Sequence, residues 1–339
     1  MNTPTDSSLS PPFSAARFIK EIGRGKNGAR SLSRDDARLL YAAMLARQIS
    51  DLELGAVLLA MRIKGETVDE IAGFLDAAHA SFDLLDVPPL GLPDEHSGTP
   101  MPIVIPSYNG ARKIPNLTPL LAMLLARENI PVLVHGVLHD AGRVTTAEIF
   151  TALGWPLATS IGDAEKTLAT GQPAFMPIAI LAPQIAALLA LRQVLGVRSS
   201  THTLVKILQP FRRPALLLSS YTHPEYLLML SDYFTKATPA ERGDALLMRG
   251  TEGETVANTK RAQQIDWFHE GIRRTLEEKQ GAFDLLPDLP PELPPDRDAL
   301  TTARWIMQVL DGSLPVPQAI ATQVTRCAAI AKGQTIDFS

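Results

Sequence analysis

The sequence predicts an α/β protein in two parts: a small N-terminal helical bundle, then a larger α/β domain with a mostly parallel central sheet. Three observations carry this. Residues 13–80 hold only helix-period apolar patterns, most of them opened by capping signals. Four short runs, Ile103–Ile105, Val132–Val134, Ala215–Leu218 and Ala245–Met248, are apolar without alternation, as strands covered on both faces must be. Helical patterns separate those runs, which is the order of a parallel sheet.

In chain order, Met1–Pro12 is rich in Ser, Pro and Thr and reads as a disordered tail. Phe13–Ile22 is a first helix ended by Gly23. GRGKNGARS follows as a basic, glycine-rich loop; no strand precedes it, so it reads as a linker rather than a phosphate site. Three helices come next. Ser33 with Asp36 gives a weak start signal, while Ser50 with Glu53 and Thr67 with Glu70 form capping boxes. Their apolar faces are Leu39, Leu40, Ala43, Met44; Leu54, Val57, Leu58, Met61; and Ile71, Phe74, Leu75, Ala78. A unit this small cannot hide all three, so the bundle is expected to form a homodimer contact. Residues 87–101 are a Pro/Gly linker. Leu117–Arg127 is helical, and Thr145 with Glu148 opens another helix. Phe175–Leu195 is very apolar; it is expected to be helical and to return to the bundle. The α/β domain would then comprise residues 102–174 and 196–339. Asp284–Asp298 is a proline-rich surface loop, and Ala299–Leu310 a late helix.

Composition narrows the classes. In 339 residues, 45% hydrophobic and 20% charged is ordinary for a soluble globular protein. The single cysteine, Cys327, excludes an internal disulfide and reads as buried filler. The N-terminus lacks the basic and apolar blocks of a signal peptide. The longest apolar run, Ile178–Leu191, is broken by Pro183 and Gln184, so no membrane contact is expected and the location is expected to be cytoplasmic. Net charge is −4, yet the charges segregate. No acid lies between Glu165 and Glu225, where Lys166, Arg192, Arg198, Lys206, Arg212 and Arg213 occur, nor between Glu95 and Glu128. A mildly acidic chain can therefore carry a basic face.

Met101–Arg143 reads as strand, polar loop, helix, strand, polar loop. Ligands bind beyond the carboxyl ends of strands in an open parallel sheet. Tyr108, Asn109, Gly110, Arg112, Lys113, His135 and Gly136 are thus expected at one rim. No G-x-x-x-x-G-K-[ST] phosphate loop and no G-x-S-x-G elbow is present. His135 and His139 have the spacing of a helical metal pair, but His135 falls at a strand end, so the two need not share a face. His202, among Ser199, Ser200 and Thr201 at a helix start, is either an anion donor or a cap.

This order of elements resembles the anthranilate phosphoribosyltransferase and pyrimidine nucleoside phosphorylase group, glycosyltransferase family 3, over nearly the whole chain. The segment from Ser31 to Leu75, including MRIKGET, is similar to the group's N-terminal bundle. VLVHGVLHDAGRVTTAEIFTALG is similar to its K-H-G-N-R loop and following helix, and HTLVKILQPFRRP to its T-x-F-N-x-L-G-P-L-x-N-P line. Within the group, PSYNGARK, STHTLVKILQP, SYTHPEYL and RGTEGE look most like the YbiB branch, described as a nucleic-acid-binding relative of the enzymes. The resemblance implies a small helical domain, an α/β domain, and a homodimer formed through the former.

The departures are as informative. The enzymes' G-T-G-G-D-G turn, whose N–H groups cradle pyrophosphate, reads Ser107-Tyr108-Asn109-Gly110-Ala111-Arg112 here. Val137 replaces the asparagine after His135-Gly136. The adjacent Asp-Glu pair that holds Mg²⁺ has become Gly253-Glu254-Thr255. Phosphoribosyl transfer by the family mechanism is therefore not expected, and no catalytic residue, metal or cofactor is assigned. Cations have entered instead: Arg112, Lys113, Arg198, Lys206, Arg212, Arg213, Arg249, Lys260 and Arg261, with His202 among them. With Asn109, Gly110, His135 and Gly136, these are the expected phosphate contacts of a DNA- or RNA-binding protein. Aromatic residues total only 6%, which argues against a stacking platform and for binding without sequence preference. The alternative is a pentosyl- or phosphoribosyltransferase of unknown acceptor, using His135, Lys206, Glu252 and Glu254.

Overall fold

A computed structural model describes residues 13–25, 27–87, 99–260, 263–278 and 293–336. The expected tail Met1–Pro12, most of the 87–101 linker and most of the proline-rich Asp284–Asp298 segment lie outside the described residues.

The bundle comprises α1 (Ala16–Ile22), α2 (Arg34–Leu45), α3 (Asp51–Lys64) and α4 (Val68–His79). Local chemistry starts each of the last three. Ser33 accepts from Asp36 N–H, and both capping boxes, Ser50/Glu53 and Thr67/Glu70, form in full. Glu70 does more than cap. Fully buried, it also takes the Leu32 N–H at 2.9 Å and Lys64 at 2.6 Å, tying the entry of α2 to the start of α4. Helices α2 and α4 then pack backbone to backbone at Gly73, where a Cβ would lie 2.2 Å from Arg34 O.

The α/β part follows as β1 (Ile103–Ser107), α5 (Thr118–Arg127), β2 (Val132–Gly136), α6 (Thr146–Ala152), α7 (Ile161–Ala169) and β3 (Ala174–Pro177). Next come α8 (Ile178–Leu181), α9 (Pro183–Ala190), α10 (Arg192–Leu195), α11 (Thr201–Leu204), β4 (Ala215–Tyr221), α12 (Pro224–Lys236) and β5 (Gly243–Arg249). The hairpin β6 (Ile265–His269) and β7 (Ile272–Glu277), then α13 (Ala299–Leu310) and α14 (Gln318–Ala331), complete the order. The sheet runs β3-β2-β1-β4-β5-β6-β7. Strands β3 to β5 are mutually parallel, and β6 and β7 are antiparallel additions at one edge.

All four expected strands are present. Phe175, placed at the start of a helical stretch by its apolar run, lies instead in the edge strand β3. Periodicity cannot separate a buried strand from a buried helix, and here one runs straight into the other. The rest of that stretch is helical but broken at Ala182–Pro183, and α9 does contact α2 of the bundle.

Two apolar cores flank the sheet. Val104, Leu133, Met176, Leu217 and Leu247 join the bundle residues in one continuous core. Ile103, Ile105, Val132, Val134, Leu216 and Leu218 pack under α5, α6, α13 and α14 in the other, which also buries Cys327. The bundle is therefore seated on one sheet face and not tethered beside it. Among the described residues no helix is long and apolar enough to cross a membrane.

The α2/α4 contact has no room for a methyl group. Gly73→Ala is expected to lower stability by about 1–3 kcal/mol in urea denaturation. An unchanged midpoint would show that the two helices are free to separate.

Candidate anion-binding cleft

All parallel strands point their carboxyl ends to one rim, and the strand order reverses between β1 and β4. That switch point opens the crevice where such sheets take ligands. The loops after β1, β2, β4 and β5 meet there.

The loop after β1 is held by carboxylates from the loop after β5. Asn109 N–H and Gly110 N–H both donate to Glu254 Oε1, at 2.7 and 2.6 Å. Arg112 N–H donates to Glu252 at 2.5 Å, and Lys113 N–H reaches both Glu252 oxygens at 2.9 and 2.8 Å. The turn that supplies these carboxylates is tight, with φ of 54° at Glu252 and 98° at Gly253. Gly253 O collects Asn109 Nδ2 at 2.8 Å, Ser220 Oγ at 3.0 Å and Lys206 Nζ at 3.2 Å. Glu252 and Glu254, grouped by sequence with a rearranged active site, thus serve as intramolecular anions for backbone N–H groups.

His135 and Gly136 are corrected as ligand contacts. A Cβ at Gly136 would lie 1.9 Å from Ser107 O, so this glycine serves the approach of β1 and β2. His135 is fully buried, bonded through Nδ1 to Tyr108 OH at 2.6 Å, and burial lowers its pKa to about 4. His139 lies exposed on the far side of that loop, near Glu148, so the two histidines share no face. Gly110 also serves the loop itself: its φ is 73°, and a Cβ would meet Val144 O at 2.5 Å.

Beside this clamp lies a cleft of about 560 Å³ between the bundle and the sheet rim. Arg62 and Glu66 come from the bundle side; Asn109, Arg143, Arg192, Arg198, His202 and Lys206 line the opposite wall with Tyr221, Thr222, His223 and Tyr226. Glu66, Glu225 and Glu252 are its carboxylates, and Glu66 is already bonded to Ser200 Oγ. Arg198 donates to Asn109 Oδ1 at 2.7 Å. Its proton affinity is lowered by burial first, then by Arg192 and Arg143. Lys206 falls to about 8, chiefly through burial, with Arg198 and Arg143 adding to the fall and Glu254 opposing it. His202 falls to about 4 by burial and then by Arg198 and Arg192. Its Nδ1 faces the Ser199 N–H at 3.2 Å, so the neutral ring carries its proton on Nε2. Cap and donor are therefore compatible roles for this one side chain. Cationic groups that depress one another's proton affinity form a site whose electrostatics favour an anion.

Of the sequence-predicted residues, Asn109, Arg198, His202 and Lys206 meet in the cleft. Arg112 and Lys113 stand exposed on the adjoining loop, and Arg249 ends β5 near Tyr221, whose phenol pKa is raised by burial and then by Asp266, with Arg249 opposing the rise. Arg212 and Arg213 are corrected. They precede β4, and in a parallel sheet that puts them on the opposite rim, where Arg212 pairs with Asp86 at 3.1 Å and Arg213 donates to Thr99 O. Lys260 is exposed beyond the β5 loop, and Arg261 lies outside the described residues. Sequence reasoning assigned no role to Arg62, Arg143 or Tyr226. Arg192 stood in the acid-free stretch, but nothing local aimed it at the cleft. A second cavity of about 660 Å³ at the amino ends of β4 and β5 holds none of the predicted residues.

The same architecture is found in known proteins. The family described as glycosyl transferase family, helical bundle domain, matches residues 16–82. Anthranilate phosphoribosyltransferase from Thermus thermophilus superposes with a TM-score of 0.65 at 20% identity, covering 94% of this chain and 90% of that one. The Saccharomyces cerevisiae enzyme in complex with PRPP and Mg gives 0.67 at 14% identity, covering 94% and 89%. The fold is anthranilate phosphoribosyltransferase-like. In sequence, the Deinococcus radiodurans anthranilate phosphoribosyltransferase is 32% identical over 230 residues, 66% of this chain and 60% of that protein. YbiB of Escherichia coli (strain K12) is 46% identical over 326 residues, covering 95% of this chain and 96% of that one, and the chain belongs to the YbiB family.

Lys206 makes the cleft's cost measurable. Its folded pKa lies below the unfolded value near 10.4, so the unfolded chain binds more protons between about pH 8 and 10.4 and stability from this group rises through that window. Lys206→Met is expected to be more stable than the parent below pH 8, by about 1–3 kcal/mol, with the advantage shrinking towards pH 10. Urea denaturation at both pH values reads this; an advantage independent of pH would assign the effect to packing.

Proposed function

We propose that the protein binds nucleic acid through phosphate contacts, without sequence preference, with the cationic cleft as the anchor. The observation that carries this is the convergence of Arg143, Arg192, Arg198, His202 and Lys206 in one cleft, with fewer carboxylates than cations around it. A backbone of repeated phosphates satisfies several such donors at once. Arg112, Lys113 and Arg249 extend the same rim outward. Tyr221 and Tyr226 can meet one base or sugar each, too few for a stacking platform.

A second reading, pentosyl or phosphoribosyl transfer, is favoured by the names of the transferase relatives and fold neighbours. The local chemistry fits it poorly. A pyrophosphate would need the N–H groups that Glu252 and Glu254 already hold. A Mg²⁺ ion would need several carboxylate oxygens free to coordinate; the Glu252 oxygens and Glu254 Oε1 are engaged by backbone donors, which leaves the buried, unpartnered Glu254 Oε2 as a single oxygen of this pair. No reaction step is assigned to either group.

Titration with single-stranded and duplex DNA at several salt concentrations tests the proposal. Log affinity is expected to fall linearly with log salt, by about −0.7 per phosphate contact for single strands. Arg198→Ala and Lys206→Ala are each expected to cost about 1.5–3 kcal/mol, equally on unrelated sequences, and to flatten the slope. The Arg212→Ala/Arg213→Ala double variant, on the opposite rim, is expected to bind like the parent. A slope near zero would sink the proposal. Calorimetric binding of phosphoribosyl pyrophosphate that strengthens with Mg²⁺ would move the conclusion to the second reading.

The homodimer also belongs here. Leu52, Leu59 and Ile63 are exposed along one face of α3, 85%, 48% and 63% accessible. A second copy covering this face would hide them. Leu58, by contrast, is interior, so a charge there tests folding rather than assembly. Ile63→Glu is expected to give folded monomers by light scattering; an unchanged dimer mass would place the contact elsewhere.

A further inference from the structure

Lys206 differs in kind from the arginines around it. A guanidinium stays charged and does not act as a nucleophile; a primary amine does when it loses its proton. Lys206 Nζ has no ion-pair partner within contact distance among the described residues, and its hydrogen bond goes to the neutral Gly253 carbonyl at 3.2 Å. The charged and titratable groups that face it are Glu254, Arg198, Arg143 and the neutral His202. Burial and the two arginines outweigh the glutamate and lower the pKa to about 8, so this amine loses its proton more readily than an exposed lysine does. Desolvation together with neighbouring cations is how lysine nucleophiles are activated. Next to the amine, Arg143 and Arg198 present guanidinium groups suited to a phosphate.

We propose that Lys206 captures phosphate-bearing aldehydes as a reversible Schiff base, the phosphate held by Arg143 and Arg198. The Nζ lone pair adds to the aldehyde carbon while the carbonyl oxygen takes up a proton, giving a carbinolamine. Expulsion of water from that carbon leaves the C=N bond, and hydrolysis reverses it. The net change is amine plus aldehyde to imine plus water, with no oxidant or reductant. Two sources carry this chemistry: the ring-opened sugar of an abasic nucleotide within a nucleic acid, and a free aldose phosphate. The inference rests on the phosphate-binding reading and specifies what that cleft takes.

The test is reductive trapping. The full chain is incubated with sodium cyanoborohydride and, separately, an oligonucleotide with one abasic site, the same oligonucleotide intact, ribose 5-phosphate, or ribose. Adducts are weighed and mapped to peptides by mass spectrometry. The expected result is an adduct at Lys206 with the abasic oligonucleotide, with ribose 5-phosphate, or with both, forming faster at pH 8 than at pH 6. Ribose 5-phosphate is expected to exceed ribose by about tenfold, the worth of one charge-assisted hydrogen bond. The intact oligonucleotide gives none, and Lys206→Met loses the adduct. An abasic adduct identifies nucleic acid as a source; an adduct with ribose 5-phosphate alone identifies the free sugar. Adducts spread over exposed lysines such as Lys113, or none at Lys206 from a parent protein that still binds intact DNA, would overturn the inference. Failure of the parent to bind intact DNA would instead strike the functional reading, while the ribose 5-phosphate arm still reports on Lys206.

Discussion

The rim depends on one interaction: two glutamates of the β5 loop occupy the backbone N–H groups of the β1 loop. A loop of successive N–H groups needs an acceptor, supplied by water, a ligand or the protein itself. Here the protein supplies it. Glu254, buried, fixes Asn109 and Gly110; Glu252, nearer the surface, fixes Arg112 and Lys113. The clamp orients everything that follows. Asn109 positions Arg198, and Gly253 O receives Lys206 and Ser220, so the cleft wall inherits its shape from the glutamate contacts.

An internal anion at the loop changes what the neighbouring cations are for. Arg143 braces the same clamp through Nη1 alone, which donates to Gly110 O and Glu252 O. Arg198 and Lys206 make no hydrogen bond to the two carboxylates; burial first, then neighbouring guanidinium groups, lower the proton affinity of both, while Arg192 pairs with Asp140 at 3.8 Å. Keeping such charges together costs stability in the free protein, and an incoming anion relieves that cost. The glutamates and the cations thus divide the rim: the first close the loop, and the second leave an electrostatic vacancy next to it.

What was legible in the sequence is what is local. Three capping boxes, the four central strands and the fold family follow from residues a few positions apart, and all are found. Strand β3 was hidden because its four residues merge with an apolar helix. The hairpin β6–β7 was hidden because its charged faces lack clean alternation, and its Glu270-Gly271 turn is a weak signal. In the site, Arg198 and Lys206, which the acid-free stretch singled out, both line the cleft. Arg212 and Arg213 failed because charge alone does not say at which end of a strand a residue sits. The clamp was out of reach altogether, since Asn109 and Glu254 are 145 residues apart. Arg62 joins the cleft only because the bundle shares its core with the sheet face.

That shared core also explains how a chain of net charge −4 can present a cationic cleft. Seating the bundle on the sheet brings Arg62 opposite Arg192 and Arg198, while many acids of the bundle serve at its own helix starts. Asp36 pairs with Arg17, Glu53 closes the α3 cap, and Glu70 is buried in the α4 cap. These carboxylates are committed to backbone donors or nearby cations, and at physiological salt their field decays over about 8 Å. A cleft between low-dielectric walls is screened less. Net charge therefore governs the approach of a polyanion only at long range. Inside the cleft, guanidinium and ammonium groups outnumber the carboxylates, so the local charge there is opposite in sign to the net charge of the chain.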